Sequence, residues 1–511
     1  MVMKQNILLA IALLSMIPLY AQVGKDDDYE RMKKESQSQY EQFKKQAMEE
    51  YADFRQKANA EYARFMEEAW TPFNVMDAEK PPMQPKPVTI TFEHEARVTN
   101  SKIEYDQIDE TPSDRLPEVR LPLGSTSNED LVLVGQPEPI DPIIETFDAN
   151  ATMQSLTLYG SQIKVRVEPE PKSPIKLKKV TEKGVAKMWK KLSTPYYDNI
   201  VAECLKQRKA CNLCDWAYLK LTEEMAGKYF GKGTNEAIVL QMYILVQSGY
   251  QMRIAQVDEN LTLLMGSKEK IYQYKYTIMD DIQYYIIDKE LQNKSMLVFN
   301  RAFPQEQSFS LALAQPKFSL EKTDKHTFTA QNYPEVNVTV ATNKNLIDFY
   351  NDYPISGQWS YYAHASLSEC VKRDLYPALQ KAIAGKTEVE AVDMLLNFVQ
   401  TGFGYSSDLV QFGYERPLYP DETFYYPYCD CEDRSILFSC LVRELLGLDV
   451  LLLSYPSHVS TAVRFNEPVK GDYLMDCDQK YTICEPTWIS GAPVGRCASQ
   501  YKDKKPRVMR L

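Results

Sequence analysis

The chain lacks any long basic run, and its 59 Lys and Arg are outnumbered by 70 Asp and Glu, giving a formal net charge of −11. Nucleic acid, whose phosphates require clustered cations, is excluded as a partner on that ground. Beyond its first residues the sequence has no apolar stretch of the ~18 residues that a spanning helix needs, so no transmembrane span is expected in the mature chain. It has neither a glycine-rich phosphate loop nor an HExxH-type metal helix, and no cofactor or metal is expected. Histidine is scarce, with four in 511 residues, and ten cysteines are few for this length. Cys211 and Cys214 have zinc-knuckle or redox spacing, but no second Cys pair or His lies near them. A structural disulfide or two buried thiols therefore fit them better than a metal. Cys477 and Cys484 flank an expected hairpin, and their pairing stays open.

What is present divides the chain. Met1 to Ala21 carry Lys4, an apolar run from Ile7 to Leu14 continued to Tyr20, and Ala21 before Gln22, the layout of a secretory signal peptide cleaved near Ala21. The mature chain is expected to be exported, to a periplasm or outside the cell. Residues 22–75 read as one long amphipathic helix, free of Pro and Gly from Asp26 to Trp70. Tyr29/Met32, Tyr40/Phe43, Tyr51/Phe54 and Tyr62/Phe65 recur every eleven residues and fall on one stripe. Residues 26–70 are accordingly expected to self-associate or to dock on the chain's own domains. Residues 76–177 read as a Pro-rich linker with strand islands at 88–92, 131–134, 156–159 and 163–167. Residues 295–355 read as a β-rich module. The whole is expected to be α+β and multidomain.

The stretch from Tyr425 to Arg496 carries the chemistry. Cys431-Glu432-Asp433 opens an amphipathic run, with Ile436, Leu437, Cys440, Leu441 and Leu445 at helical spacing, that Gly447 ends. Cys431 is thus placed at a helix N-terminus, where macrodipole and backbone amides favour a thiolate. The carboxylates of Glu432 and Asp433 would oppose that if they turned toward the thiol. His458 enters a strand over Val459–Phe465, and a second strand ends at Glu485 before Pro486. An aromatic loop, including Phe403, Tyr405, Tyr419 and Phe424, leads into Cys431; it either plugs a surface or lines a groove. His364, six residues before Cys370, makes a rival dyad by proximity alone.

Cys431-Glu432-Asp433 with Leu437, Leu441-Val442-Arg443 and Gly447, His458 before a strand, and Glu485-Pro486-Thr487 together closely resemble the transglutaminase-like core, a branch of the papain-like thiol enzymes. The resemblance covers residues 356–511. That family usually has Gly where Cys429 stands, and Asp where Glu485 stands. It implies a Cys431 nucleophile, a His458 base and a Glu485 orienting acid, acting on amide bonds of peptide or protein substrates through an acyl-enzyme, as transferase, protease or amidase. The alternative is a non-catalytic scaffold or binding protein of the cell envelope.

An internal comparison extends this reading to residues 178–294. Gly233 to Gly249 can be laid without gaps over Cys431 to Gly447, with apolar face and terminal Gly coinciding. The same offset puts Asn260 under His458, and Tyr284–Asp288 answers Tyr481–Glu485 with one residue of slip. A second, degenerate copy of the core without thiol or imidazole is expected there.

Overall fold

The computed structural model describes residues 26–82, 97–99, 102–104, 116, 118–123, 150–169, 175–177, 179–313 and 315–511. Residues 1–21 and the strand islands at 88–92 and 131–134 lie outside these. Helices and sheets both contribute heavily, an α+β architecture. No helix among the described residues is long and apolar enough to cross a membrane.

The described residues begin with α1 (Asp26–Met66), followed by β1 (Thr71–Asn74), the pair β2 (Arg97–Thr99) and β3 (Lys102–Glu104), β4 (Val119–Arg120), and a hairpin of β5 (Thr152–Leu158) and β6 (Ser161–Val167). Four helices follow, α2 (Glu182–Leu192), α3 (Pro195–Ala210), α4 (Asp215–Phe230) and α5 (Asn235–Gln247). They lead into β7 (Met252–Val257), β8 (Asn260–Ser267), β9 (Tyr276–Met279), β10 (Ile282–Ile286) and β11 (Ser295–Phe299). After the hairpin of β12 (His326–Thr329) and β13 (Asn337–Val340) come α6 (Lys344–Asp352), α7 (Trp359–His364), α8 (Glu369–Ile383) and α9 (Glu388–Thr401). Short pieces β14 (Gly404–Tyr405), α10 (Asp408–Gln411), α11 (Pro420–Tyr425) and β15 (Tyr428–Cys429) precede α12 (Cys431–Leu446). The chain ends in β16 (Val450–Tyr455), β17 (His458–Val463), β18 (Asp472–Asp476), β19 (Gln479–Cys484) and β20 (Arg507–Arg510).

Two six-stranded sheets organise these elements, in the orders β1-β11-β7-β8-β10-β9 and β20-β16-β17-β19-β18-β4. Five consecutive strands correspond between them. The first hairpin pairs Met252 with Met265 and closes on Val257 and Asn260. Its counterpart pairs Val450 with Val463 and closes on Tyr455 and His458. Each of these four partners is displaced by the sequence offset that joins Gly249 to Gly447. The second hairpins close on Met279–Ile282 and Asp476–Gln479. Both turn through two residues of positive φ, Asp280 and Asp281 (50° and 61°) and Cys477 and Asp478 (45° and 61°), the backbone twist that a two-residue hairpin loop favours.

Two expectations change, and the open question of cysteine pairing is answered. Ser295–Phe299, read as the opening of a separate β-rich module over 295–355, is β11 of the first sheet, paired with both β1 and β7. Alternating apolar residues identify a strand without naming the sheet it joins. Residues 76–177 do more than link, because β4 runs parallel to β18 at the edge of the second sheet, and Leu156, Leu158, Ile163 and Val165 of the β5–β6 hairpin are buried in the main core. None of the ten cysteines is in a disulfide. Cys477 is exposed in its turn while Cys484 is buried at the far end of β19, which separates the pair suggested by their spacing.

The α1 helix divides between two environments. Toward its C-terminal end Tyr62 packs its ring against Trp189, Phe299 and Phe303, at 4.9, 5.0 and 5.2 Å between centroids. Arg55 donates to Asp198 Oδ1 at 2.7 Å and to Gln247 Oε1. Trp189 donates its indole N–H to Asn59 Oδ1 at 3.0 Å. Phe43 and Phe54, on the same stripe, are exposed. Tyr62→Ala should therefore lower stability in chemical denaturation by about 3–5 kcal/mol, the scale of an emptied aromatic site. Phe43→Ala should change it by less than about 0.5 kcal/mol.

Candidate active site

Helix α12 lies between α9 and the second sheet, and Cys431 through Val442 are buried without interruption. Its C-terminus is set by Gly447, whose left-handed φ of 67° suits a residue without a side chain, and whose N–H returns to Arg443 O. At the other end Asp430 is the N-cap. Asp433 reaches back to accept the Asp430 N–H at 3.2 Å and takes the Leu418 N–H at 2.7 Å. Ser435 Oγ donates to Val459 O at 3.1 Å, which fastens the first turn of α12 to the start of β17. Cys431 on the helix and His458 on the strand are brought to the same corner by that contact.

His458 and Glu485 form a buried pair, with Nε2 and Oε2 2.9 Å apart. Glu485 Oε1 also accepts the Thr487 N–H at 3.0 Å, so both carboxylate oxygens are fixed. Burial alone would raise the Glu485 carboxyl, but attraction to His458, the hydrogen bond to it and the Thr487 amide together hold it below its ordinary range. A carboxylate only accepts, so Nε2 carries a hydrogen, and in the neutral form of the ring the lone pair is on Nδ1. Tyr501 stacks on the imidazole at 4.8 Å and 18°, and Tyr455 packs on Tyr501 at 4.8 Å. Gln400 on α9 donates to Glu485 O at 2.9 Å and Ala492 O at 3.0 Å, which ties the acid's loop to the helix layer.

The thiol departs from expectation. Sγ of Cys431 donates to Glu432 Oε2 at 3.1 Å. Burial first, then the charges of Glu432 and Asp430, push the thiol well above its ordinary range, against a smaller opposing pull from the Val459 N–H. A helix N-terminus was expected to favour the thiolate. Burial of the thiol, with Glu432 and Asp430 beside it, outweighs the partial positive charge of the helix end. The two acids after Cys431 are thereby assigned: Glu432 faces the thiol, whereas Asp433 faces the loop.

Sequence reading also missed Asp408, Glu415 and Asp430, which gather with Glu432 and Asp433 around this helix end. Asp408, Asp430 and Asp433 bring ligand atoms within 4.8 Å of one another, as do Asp408, Glu415 and Glu432, all buried. Asp408 is raised by burial and then by Asp433 and Glu432; Asp430 is raised by burial and then by Glu432 and Asp433. Shared protons neutralise such a group, and its spacing could equally accept a divalent cation. Asp408 and Glu415 stand in the loop before α12 at no motif spacing, so only the wrapping of that loop reveals them. Its aromatics mostly serve the core: Phe403 and Phe424 are buried with Phe328, and Tyr419 stacks between Tyr350 and Tyr362 at 4.5 Å each. The rival dyad is not assembled, since His364 Nδ1 meets Ser360 O and Cys370 Sγ meets Ala341 O.

A thiol raised in this way keeps its proton to higher pH, so the midpoint of Cys431 alkylation by iodoacetamide should lie above the ordinary value of ~8.5. Glu432→Gln removes the nearest negative charge and should move that midpoint downward. The measurement is the rate of labelling against pH, with the Cys431 peptide followed by mass spectrometry.

No protein-family model, curated protein or solved structure matches this chain, and the reading of the site therefore rests on its own residues.

Proposed function

We propose that the chain is an exported thiol enzyme with a transglutaminase-like, papain-like core in residues 356–511, acting on amide bonds of peptide or protein substrates through an acyl-enzyme. The observation that carries this reading is the buried His458–Glu485 pair, 2.9 Å between Nε2 and Oε2, set beside the helix start that bears Cys431. In this mechanism Nδ1 of His458 takes the thiol proton, and Sγ of Cys431 bonds to the substrate carbonyl carbon. The C–N bond then breaks as the imidazolium returns the proton to the leaving amine. Water or an amine resolves the thioester, with His458 again as base. Glu485 fixes the ring and stabilises the imidazolium without changing protonation state. The backbone N–H of Cys431 is assigned as an oxyanion donor.

Catalysis also requires the resting contacts to open. Cys431, His458 and Glu485 are 4%, 2% and 2% exposed, Tyr501 covers the imidazole, and Glu432 holds the thiol hydrogen. A second reading, a non-catalytic binding protein of the cell envelope, is favoured by those same closed contacts.

One experiment separates the two. The full chain is incubated with casein and monodansylcadaverine, and both amine incorporation and ammonia release are followed. Cys431→Ala should abolish turnover, and His458→Ala should lower it by on the order of 10²–10⁴. Glu485→Gln should cost less than loss of either partner, because it orients rather than reacts. Tyr501→Ala should speed both turnover and Cys431 labelling. No turnover, together with a thiol that stays unreactive in a Tyr501→Ala, Glu432→Gln variant, would leave the binding reading.

A further inference from the structure

The first sheet carries a cavity of about 630 Å³ whose lining includes Gly233, Asn260 and Asp288. Asn260 and Asp288 answer His458 and Glu485 by strand register, and Gly233 answers Cys431 in the gapless sequence match of the two helices. Its volume falls within the ~300–1,000 Å³ typical of ligand sites. In place of a thiol there is no side chain, and a Cβ built on Gly233 meets nothing within 4 Å. In place of the imidazole stands the exposed Asn260. The helix start is still fastened to the strand start, because Asn235 accepts the Leu261 N–H at 2.8 Å and donates to Glu259 O at 3.0 Å. The scaffold of the site is kept while its chemistry is absent.

The two corners also differ in what lies over them. In the second sheet, residues 485–506 connect β19 to β20 and bring Tyr501 onto His458. In the first sheet the matching connection, residues 287–294 between β10 and β11, is far shorter. It lines the cavity with Asp288, Glu290 and Gln292 instead of covering it. Glu223, Asp258, Asp288 and Glu290 line the cavity against one lysine, Lys220. That lysine is already shared between Glu223 and Asp352, at 3.5 Å each. A cation is the ligand group such a field selects. Gln241, Asn260 and Thr262 add donors and acceptors suited to peptide amides.

We propose that this cavity is a docking site for a peptide segment bearing a basic side chain, through which the first sheet captures the polypeptide on which the second acts. The term substrate rests on the enzyme reading above; the binding itself does not. The test uses the full chain and fluorescence polarisation. One probe is a pool of fluorescein-labelled pentapeptides with lysine at the centre and random flanks; the other is the matched pool with glutamate at the centre. The lysine pool should bind saturably and weaken as salt is raised. Asp288→Lys with Glu290→Lys, both at exposed positions, should weaken it by about tenfold, and Asn260→Trp should do the same by filling the mouth. Unchanged thermal melting of both variants shows that the fold is intact. Cys431→Ala should bind as the wild type does, and iodoacetamide labelling of Cys431 in the wild type reads the second site separately. Equal binding of the two pools, no saturable binding, or binding unaltered by the folded variants would overturn the proposal. Free lysine competing as well as the lysine pool would overturn its peptide character.

Discussion

Cys431 through Val442 are buried without a break, so the first turns of α12 have no water to satisfy their amides or their dipole. Acidic side chains gather at that end. Asp430 caps the helix, Asp433 closes on the Asp430 amide and on Leu418, and Asp408 accepts the Arg416 N–H at 2.6 Å. That arrangement draws residues 408–418 around the helix end and fixes the loop that enters Cys431. Burial first, and then the acids at this helix end, oppose ionisation of the neighbouring thiol. Structural stability of α12 and ready ionisation of Cys431 are therefore in conflict.

The same tension explains why the corner is closed. Burying His458 with Glu485 is favourable only while the pair remains hydrogen-bonded and shielded, and Tyr501, stacked on the ring, provides the shield. The other sheet meets no such demand. Without a thiol, an imidazole or a buried acid at the matching positions, it does not need the long connection that brings Tyr501 into place, and its corner stays open as a cavity. One topology thus supports a covered Cys431–His458–Glu485 corner and an uncovered cavity, with the length of one connection as the main difference.

The two sheets are not independent bodies. Tyr419 beside the second sheet's helix layer stacks on Tyr350 and Tyr362, and Ile436, Leu452 and Met509 belong to the same buried cluster as α2 to α5. The docked end of α1 joins that cluster through Tyr62 and Met66. A ligand held at the first sheet is therefore held by a scaffold packed directly against the second.

Local pattern determined much of this in advance. The apolar spacing from Ile436 to Leu445 and the glycine at 447 placed α12, and the alternation around His458 and Glu485 placed their strands. The gapless match of Gly233–Gly249 with Cys431–Gly447 put Asn260 under His458, and the two residues do hold equivalent places at the start of β8 and of β17. Sequence could not say that Ser295–Phe299 joins the first sheet, that the α1 stripe docks at Tyr62 yet leaves Phe43 exposed, or that Glu432 turns toward the thiol while Asp433 turns away. Each of those depends on groups distant along the chain that are adjacent only after folding. Periodicity reports which face of an element is apolar; what that face meets, and the electrostatic field around a buried thiol, were decided by tertiary packing alone.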